Sequence, residues 1–200
     1  MKKVILSLAL LAGVTSAAQA QSTRFGVKGG VGLASVTGDA GSGANKKNLV
    51  VAQAGVMADF GFSDLLSFHP ELLYSQKGVR VESGSLYAQS RLSYLDLPLL
   101  LRVNADGLFF EAGPQVGFLI GQKSENNIFG TTVTSTSTTG TRKVDVGYIA
   151  GVGYQLSSGL EFGVRYNGGI SDLSDSNNSG SDKTRNSVFQ FQVGYLFGGK

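Results

Sequence analysis

The sequence predicts an all-β protein, an eight-stranded antiparallel up-and-down barrel that crosses a membrane. Apolar residues recur with a period of two from residue 25 to residue 197, and no stretch beyond the first twenty residues has a helical period. Short turns alternate with long polar connections along the chain. The 29 glycines alternate with Val, Phe, Leu and Tyr, which indicates a patterned fold and not a linker.

The first twenty residues are predicted to be a secretory signal peptide. Lys2 and Lys3 form a basic start, residues 4–14 form an apolar core, and Ala18-Gln19-Ala20 is a small-x-small cleavage site. An apolar core of this length is too short to span a membrane as a helix, which argues against an anchor. We therefore expect cleavage between Ala20 and Gln21, with the barrel domain over residues 21–200.

Eight strands of roughly 9–13 residues account for the alternation, and strands of this length cross a bilayer when tilted. One face of each strand is large and apolar, while the other carries glycine, amides and charges. The apolar faces begin at Phe25, Val50, Leu66, Leu95, Phe110, Val144, Leu160 and Phe189. A soluble barrel would carry its large apolar side chains inward, where these bulky Phe, Tyr and Leu residues would not fit, so lipid is the expected environment of this face.

The connections alternate in length. Tight turns are predicted at residues 62–65, 104–107 and 157–159, where Asp, Asn, Ser and Gly supply turn chemistry. Long loops are predicted over residues 37–48, 78–90, 121–143 and 168–186. Outer-membrane barrels have short periplasmic turns and long extracellular loops, so we expect this orientation, with both termini periplasmic. The Ser/Thr-rich segment Thr131–Thr141 either extends the barrel wall or forms a surface loop.

Aromatic residues are expected to form girdles at the two membrane interfaces. The members expected near the turn end are Phe25, Phe60, Phe62, Phe68, Phe109, Phe110, Phe162, Tyr195 and Phe197. Those expected near the loop end are Tyr74, Tyr94, Phe118, Tyr148 and Tyr166. Phe197 is also the expected end of the last strand, the feature that the barrel-insertion machinery reads.

Composition narrows the classes of partner. Without Lys2 and Lys3, the 17 basic residues fall to 15, against 14 acidic residues, and no basic cluster indicates nucleic-acid binding. The chain has no cysteine, so its stability does not depend on disulfides. We expect a monomer without a cofactor, whose partners are outer-membrane lipids and the insertion machinery, with any surface or periplasmic protein partner unidentified.

Three motifs carry a resemblance to a known family. PELLYSQKG (Pro70–Gly78), YLDLPLLLRV (Tyr94–Val103) and EAGPQVGFLI (Glu111–Ile120) resemble the PorT-like outer-membrane β-barrels of Bacteroidetes, as does the final VFQFQVGYLF. The resemblance spans essentially the whole mature chain and implies an eight-stranded barrel of the OmpA/OmpX type in the outer membrane. It implies no defined activity, although one namesake acts in gliding-associated protein secretion.

The inward-facing charges are the candidate site. Period two places nine titratable side chains on the polar faces of the strands: Lys28, His69, Glu71, Asp96, Arg102, Glu111, Asp145, Glu161 and Arg165. In a narrow interior such charges must pair, because an unpaired buried charge is costly. We expect a salt-bridged plug, and the alternative interpretation is an ion path or proton relay.

Catalysis and metal binding are weaker interpretations. His69, the one histidine, shares a face with Ser67, Glu71 and Ser75, but a hydrolase would also need an oxyanion hole that the spacing does not supply. Asp175–Asp182 resembles the start of a calcium loop, yet Asn186 stands at its twelfth position where Glu is required. We therefore predict no catalytic residues, no metal site and no enzymatic activity.

The sequence thus predicts a structural or surface-interaction role at the outer membrane. The alternative is a narrow porin-like channel or an accessory component of a protein-secretion apparatus. Within the strand that contains Asp96 and Arg102, Pro98 cannot donate a ladder hydrogen bond, so a local bulge or bend is expected there.

Overall fold

The computed structural model describes residues 23–37, 45–83, 86–128, 131–138, 141–172 and 184–198. The predicted signal peptide and its cleavage site lie outside these residues. The strands are β1 Thr23–Thr37, β2 Asn45–Lys47, β3 Leu49–Gly61, β4 Leu66–Ser83, β5 Leu86–Ala105, β6 Leu108–Ile128, β7 Thr131–Ser135, β8 Val144–Gln155, β9 Leu160–Gly169 and β10 Arg185–Phe197. No helix in the described ranges could span a membrane.

Eight of these strands close into one antiparallel barrel, which confirms the predicted fold class. The order around the wall is β1, β10, β9, β8, β6, β5, β4 and β3, and β3 pairs with β1 to complete the ring. The first and last strands pair from Phe25–Phe197 to Thr37–Arg185. The short strands β2 and β7 lie outside the ring and pair with β4 and β6.

The three short turns lie where the sequence predicts them. Residues 62–65 join β3 to β4, and Ser63 Oγ accepts hydrogen bonds from the amides of Leu65 and Leu66. Asp106 and Gly107 join β5 to β6, both with positive φ, as a two-residue hairpin turn requires. Residues 156–159 join β8 to β9. All three turns therefore lie at one end of the barrel.

Three predicted loops are wrong in part, because they contain strand residues. The short strand β2, Asn45–Lys47, lies inside the segment 37–48, and neighbouring strands continue through two other segments. β4 and β5 remain paired to Ser83 and Leu86, inside the segment 78–90. Likewise β6 continues to Ile128 and pairs with β7, inside the segment 121–143. The β4 extension keeps an alternation, with Val79 and Val81 between charged residues, although its turn-like Gly78 suggested a loop. In the β6 extension both faces are polar over residues 121–127, so the alternation disappears although the backbone ladder continues. The wall of β4, β5 and β6 is therefore taller than the rest of the barrel.

The prolines leave gaps in the ladders without shifting them. Pairing is interrupted at Pro70 between β3 and β4, at Pro98 between β4 and β5, and at Pro114 between β5 and β6, and each ladder resumes in the same register. A missing N–H removes hydrogen bonding locally and nothing more. The bulge expected at Pro98 is wrong in position, because the register shift lies between Ser93 and Tyr94.

The exterior and interior follow the period of two. Large apolar side chains such as Phe25, Val31 and Phe191 are about 60% exposed on the outside, whereas polar side chains are buried inside. Two girdle assignments are wrong. Tyr94 and Phe109 are buried inside the barrel, because they share strand faces with Asp96 and Glu111.

Candidate functional site: the charged lumen

All nine predicted lumen residues are buried inside the barrel. They do not form one network. Seven of them belong to a central cluster, made of Lys28, His69, Glu71, Arg102, Glu111, Glu161 and Arg165. The other two, Asp96 and Asp145, belong to a separate cluster around Lys77.

The central cluster balances three cations against three carboxylates. Arg165 donates to Glu71 Oε2 at 2.8 Å and to Glu111 Oε1 at 2.5 Å. The guanidinium of Arg102 donates to Glu161 Oε2 at 2.8 Å and to Glu111 Oε2 at 2.9 Å. Each carboxylate therefore has a cationic partner, which is the condition under which buried charges are tolerated.

Lys28 bridges two acids of this cluster, Glu71 and Glu161. Its ammonium lies 2.6 Å from Glu71 Oε1 and 3.4 Å from Glu161 Oε1. Gln192 Nε2 adds a hydrogen bond of 3.1 Å to Glu111 Oε1. Side chains from β1, β4, β5, β6, β9 and β10 thus meet in the lumen, and the cluster joins strands that do not pair in the sheet.

His69 extends this cluster toward the turn end. A guanidinium has only donors, so Arg102 Nη2, 3.1 Å away, requires His69 Nε2 to be an acceptor. The proton of the neutral ring is then on Nδ1, which lies 3.3 Å from Asp59 Oδ1. Asp59 also accepts from Arg24 Nη2 at 2.7 Å. The ion-pair chain therefore continues to Arg24, at the start of β1.

The second cluster lies nearer the loop end. Lys77 Nζ is 3.0 Å from Asp145 Oδ2 and 3.3 Å from Asp96 Oδ2. Ser75 donates to Asp96, while Asn186 Nδ2 and Ser171 Oγ donate to Asp145 at 2.9 and 2.8 Å. The Lys77 ammonium also lies 4.6 Å from the Tyr94 ring centroid, a cation–π distance.

Ring and glycine positions explain how the lumen is filled. The Arg102 guanidinium lies 4.0 Å from the centroid of the inward-facing Phe109 ring. A Cβ on Gly151 would stand 3.2 Å from Glu111 Oε1 and 3.0 Å from Arg165 Cβ, so any larger residue would crowd that ion pair. Leu73, Leu100 and Ile149 fill the remaining interior with apolar side chains.

Three charged members of these clusters were absent from the predicted set: Arg24, Asp59 and Lys77. Asp59 shares its strand face with Gln53 and Met57, so the period of two was sufficient to find it. Lys77 was missed because it precedes Gly78, where a loop was expected, although β4 continues to Ser83. A misplaced strand end therefore explains the omission of Lys77, whereas the alternation already places Asp59 on the inner face.

One group in the central cluster has the composition of a metal site. His69, Glu71 and Glu111 offer ligand atoms within 4.8 Å of one another. Their carboxylate oxygens already bind Arg165 and Lys28, and three cations around the group oppose a further positive charge. The donor set therefore fits an ion-pair network and does not fit a metal. The possible calcium loop Asp175–Asp182 lies outside the described residues.

A closed eight-stranded barrel with an apolar outer surface and a charged, filled interior has the architecture of an outer-membrane protein. A sequence model of the outer membrane protein β-barrel domain family matches residues 18–175, and the chain belongs to this family. The family is one of the outer membrane, which is where this protein is located. No curated protein matches the chain.

Solved structures of outer-membrane barrels resemble the fold. Neisserial surface protein A and the attachment invasion locus protein Ail of Yersinia pestis are each 14% identical, with a TM-score of 0.48, over 88% of this chain and 99% of theirs. OprG of Pseudomonas aeruginosa is 14% identical with a TM-score of 0.42, over 88% of this chain and 97% of its own. Identities this low do not indicate a shared activity.

Proposed function

We propose that the protein is a non-conducting outer-membrane barrel with a structural or surface-interaction role that its loop end carries out. The central cluster supports this proposal. Arg165 on β9 binds Glu71 on β4, and these strands are four places apart in a ring of eight, so the pair spans the full width of the lumen. An eight-stranded interior is only wide enough for its own side chains. Ions would have to displace this network in order to pass.

The orientation belongs to the same proposal. All three short turns lie at one end, and the extended β4, β5 and β6 rise at the other. In outer-membrane barrels the short turns are periplasmic, so this chain would keep both termini in the periplasm and expose its long connections. Labelling of intact cells at a cysteine introduced at exposed Thr138, and not at exposed Asp106, would support the orientation; the reverse labelling would contradict it.

The absence of catalysis is also proposed. Among the described contacts, His69 binds Asp59, Arg102 and Glu71, and none of these is a nucleophile with a hydroxyl. Ser75 on the same face donates to Asp96 and is therefore already occupied. A histidine held between acids and a guanidinium orients an ion-pair network, which favours a structural role.

A secretion-related role within the PorT-like group is the second candidate, supported by the three sequence motifs quoted above. Co-purification separates the two roles. If affinity-tagged protein retains a defined set of envelope proteins through stringent washing, an accessory role is favoured; if it elutes alone, the stand-alone barrel is favoured.

Planar-bilayer recording tests the closed lumen. We expect refolded wild-type protein to show no steady conductance, with a porin of known conductance as the positive control. The charge-balanced variant R165A/E71A removes the pair that spans the lumen, and we expect transient openings from it. Steady, large conductance of the wild-type protein would refute the closed barrel and favour the porin-like alternative.

A further inference from the structure

The outer wall changes from apolar to polar where β5 and β6 leave the membrane-facing belt. Leu95, Phe118 and Ile120 are exposed on the outside at 39%, 49% and 57%. The next outward positions are Ser93 on β5 and Gly121 on β6, which pair with each other. The polar extension of the wall therefore begins directly above large lipid-facing side chains.

The register shift lies at this boundary. Tyr94 pairs with Leu119 and Ser93 pairs with Gly121, which leaves Ile120 without a partner on β5. A bulge of this kind places an extra residue on one strand and redirects the side chains beside it. Here both Ile120 and Gly121 face outward. The apolar side chain of Ile120 therefore lies next to a position, Gly121, that has no side chain.

Two cations lie directly opposite each other in the next outward row. Arg91 pairs with Lys123 across β5 and β6, and Gly78 on β4 pairs with Arg91 on its other side. Like charges at opposite positions of a ladder are destabilising unless an anion lies between them. Both cations belong to the described residues, and the Lys123 side chain is 53% exposed.

The surface at Gly121 is open. A Cβ on Gly121 would meet only the Ser93 side chain, at 3.9 Å. Gly78, by contrast, is buried, and a Cβ there would collide with the carbonyl oxygen of Ser90. The missing side chain leaves a shallow depression at Gly121, and the outward side chains around it are those of Gln76, Arg91, Ser93 and Lys123.

Polar groups in the depression are already ordered. Arg91 Nη1 donates to Gln76 Oε1 at 2.7 Å, and Gln76 Nε2 lies 3.4 Å from Tyr74 Oη. Tyr74 Oη in turn lies 3.0 Å from Ser93 Oγ. The guanidinium of Arg91 therefore keeps further N–H groups that can donate to a ligand. The hydroxyls of Tyr74 and Ser93 lie nearby.

One acid opposes the two cations. Glu125 Oε1 lies 2.6 Å from Lys123 Nζ, and its other carboxylate oxygen accepts from Gln89 Nε2, also at 2.6 Å. The hydrogen bond from Lys123 lowers the pKa of Glu125, so this acid remains ionised at neutral pH. Among Arg91, Lys123 and Glu125, the described charged side chains of these two rows, the cations outnumber the acid.

We propose that this depression binds a phosphate group on the headgroup of an outer-leaflet glycolipid. A phosphate offers the several anionic oxygens that Arg91 and Lys123 would share, and it would relieve their mutual repulsion. The acyl chains of the same lipid would lie on Leu95, Phe118 and Ile120 below. A free phosphate ion would satisfy the cations but would make no use of the adjoining apolar surface.

The assignment to the outer leaflet rests on the proposed orientation, but lipid binding itself can be measured without it. Native mass spectrometry or thermal shift of the refolded mature protein would compare bis-phosphorylated lipid A, dephosphorylated lipid A and inorganic phosphate. We expect preference for the phosphorylated lipid. Because each cation near a phosphate surface contributes about 1 kcal/mol, R91Q/K123Q is expected to bind it roughly thirtyfold more weakly.

Two further variants make this test specific. R185Q removes one charge from an exposed position on β10, three or more strands away from β5 and β6 in the ring, and is the matched control for K123Q; we expect it to bind lipid A as the wild type does. E125Q removes the competing acid and is expected to bind more tightly. If R91Q/K123Q does not fold, as judged by heat-modifiable mobility, K123Q alone replaces it, because that side chain is mostly exposed.

Three results would overturn the lipid site. The first is an equal loss of lipid A binding in K123Q and R185Q, the second is equal affinity for the two forms of lipid A, and the third is inorganic phosphate binding as tightly as phosphorylated lipid A. The last result would indicate a site for a free anion. Bilayer recording of the same preparations tests the closed lumen independently of the lipid site. Arg91 and Lys123 lie outside the barrel interior, so their replacement should change lipid binding without changing conductance.

Discussion

Arg165 and Glu71 are joined by two hydrogen bonds of 2.8 and 2.9 Å across the full width of the barrel. The strands that carry them, β9 and β4, do not pair, so this bidentate contact connects opposite walls directly. Planar guanidinium–carboxylate pairs are among the strongest charge-assisted contacts. Removing either partner would therefore leave an uncompensated charge in the barrel interior.

Replacing Arg165 by Met should destabilise the barrel severely. The change leaves Glu71 and Glu111 with less compensating charge in an interior that excludes water, and removing one partner of a buried pair costs about 3–5 kcal/mol. Urea titration followed by heat-modifiable gel mobility measures the loss. E71M combined with R165M restores charge balance and should recover part of it, whereas K143M at an exposed position should change stability by less than about 0.5 kcal/mol. An R165M barrel as stable as K143M would contradict this role.

The sequence could predict the faces of these residues but not their partners. Alternation alone places Lys28 and Arg165 inside, because a one-residue shift would move every side chain of the strand to the other face. The contact between Arg102 on β5 and Glu161 on β9 joins strands three places apart. Such contacts depend on the tilt and stagger of the closed barrel, which no period in a single strand encodes.

The loop-end cluster predicts a compensating pair of substitutions. Lys77 is the cation between Asp96 and Asp145, so K77M should leave two buried carboxylates facing each other and lower the unfolding free energy by about 3–5 kcal/mol. Adding D145N removes one of these charges and should restore part of the stability. If the double variant is less stable than K77M alone, the two acids do not interact through Lys77 as the distances indicate.

Two glycines should respond in opposite ways to alanine. A Cβ on Gly153 would collide with the Phe109 ring and with the carbonyl oxygen of Phe162, whereas a Cβ on Gly29 would meet only Gln53 O at 3.8 Å. Overpacking of this kind costs about 1–3 kcal/mol, so G153A should unfold at lower urea concentration than wild type and G29A should not. Equal midpoints for the two variants would show that the lumen repacks freely around Phe109.

The Pro98 expectation shows the limit of a rule taken from sequence alone. A proline inside a strand suggests a bulge. In the barrel, however, the β4–β5 ladder resumes beyond Pro98 in the same register. The bulge lies instead beside Ser93, where its extra residue Ile120 precedes Gly121, and it coincides with the change of the wall from apolar to polar. A glycine, and not the proline, therefore accompanies the irregularity.

P98A should therefore fold into the same barrel with nearly unchanged stability. The new amide can add one ladder hydrogen bond, worth about 1 kcal/mol, while the loss of proline stiffness in the unfolded chain removes about 0.4–1 kcal/mol. Hydrogen exchange should show the new amide protected. A fast-exchanging amide at this position, or a large loss of stability, would indicate that Pro98 fixes a bend that the barrel requires.

His69 provides the test of catalysis against structure. Gln can replace the imidazole as both a donor to Asp59 and an acceptor from Arg102, whereas Phe can do neither, so H69F should lose about 1–3 kcal/mol and H69Q should lose much less. If the proposed structural role is right, lipid profiles of cells that express H69Q and wild type should be the same, because the glutamine keeps the contacts of His69 with Asp59 and Arg102. If H69Q folds normally but selectively abolishes a lipid-deacylating activity of the wild type, the imidazole acts as a base and the non-catalytic assignment is wrong.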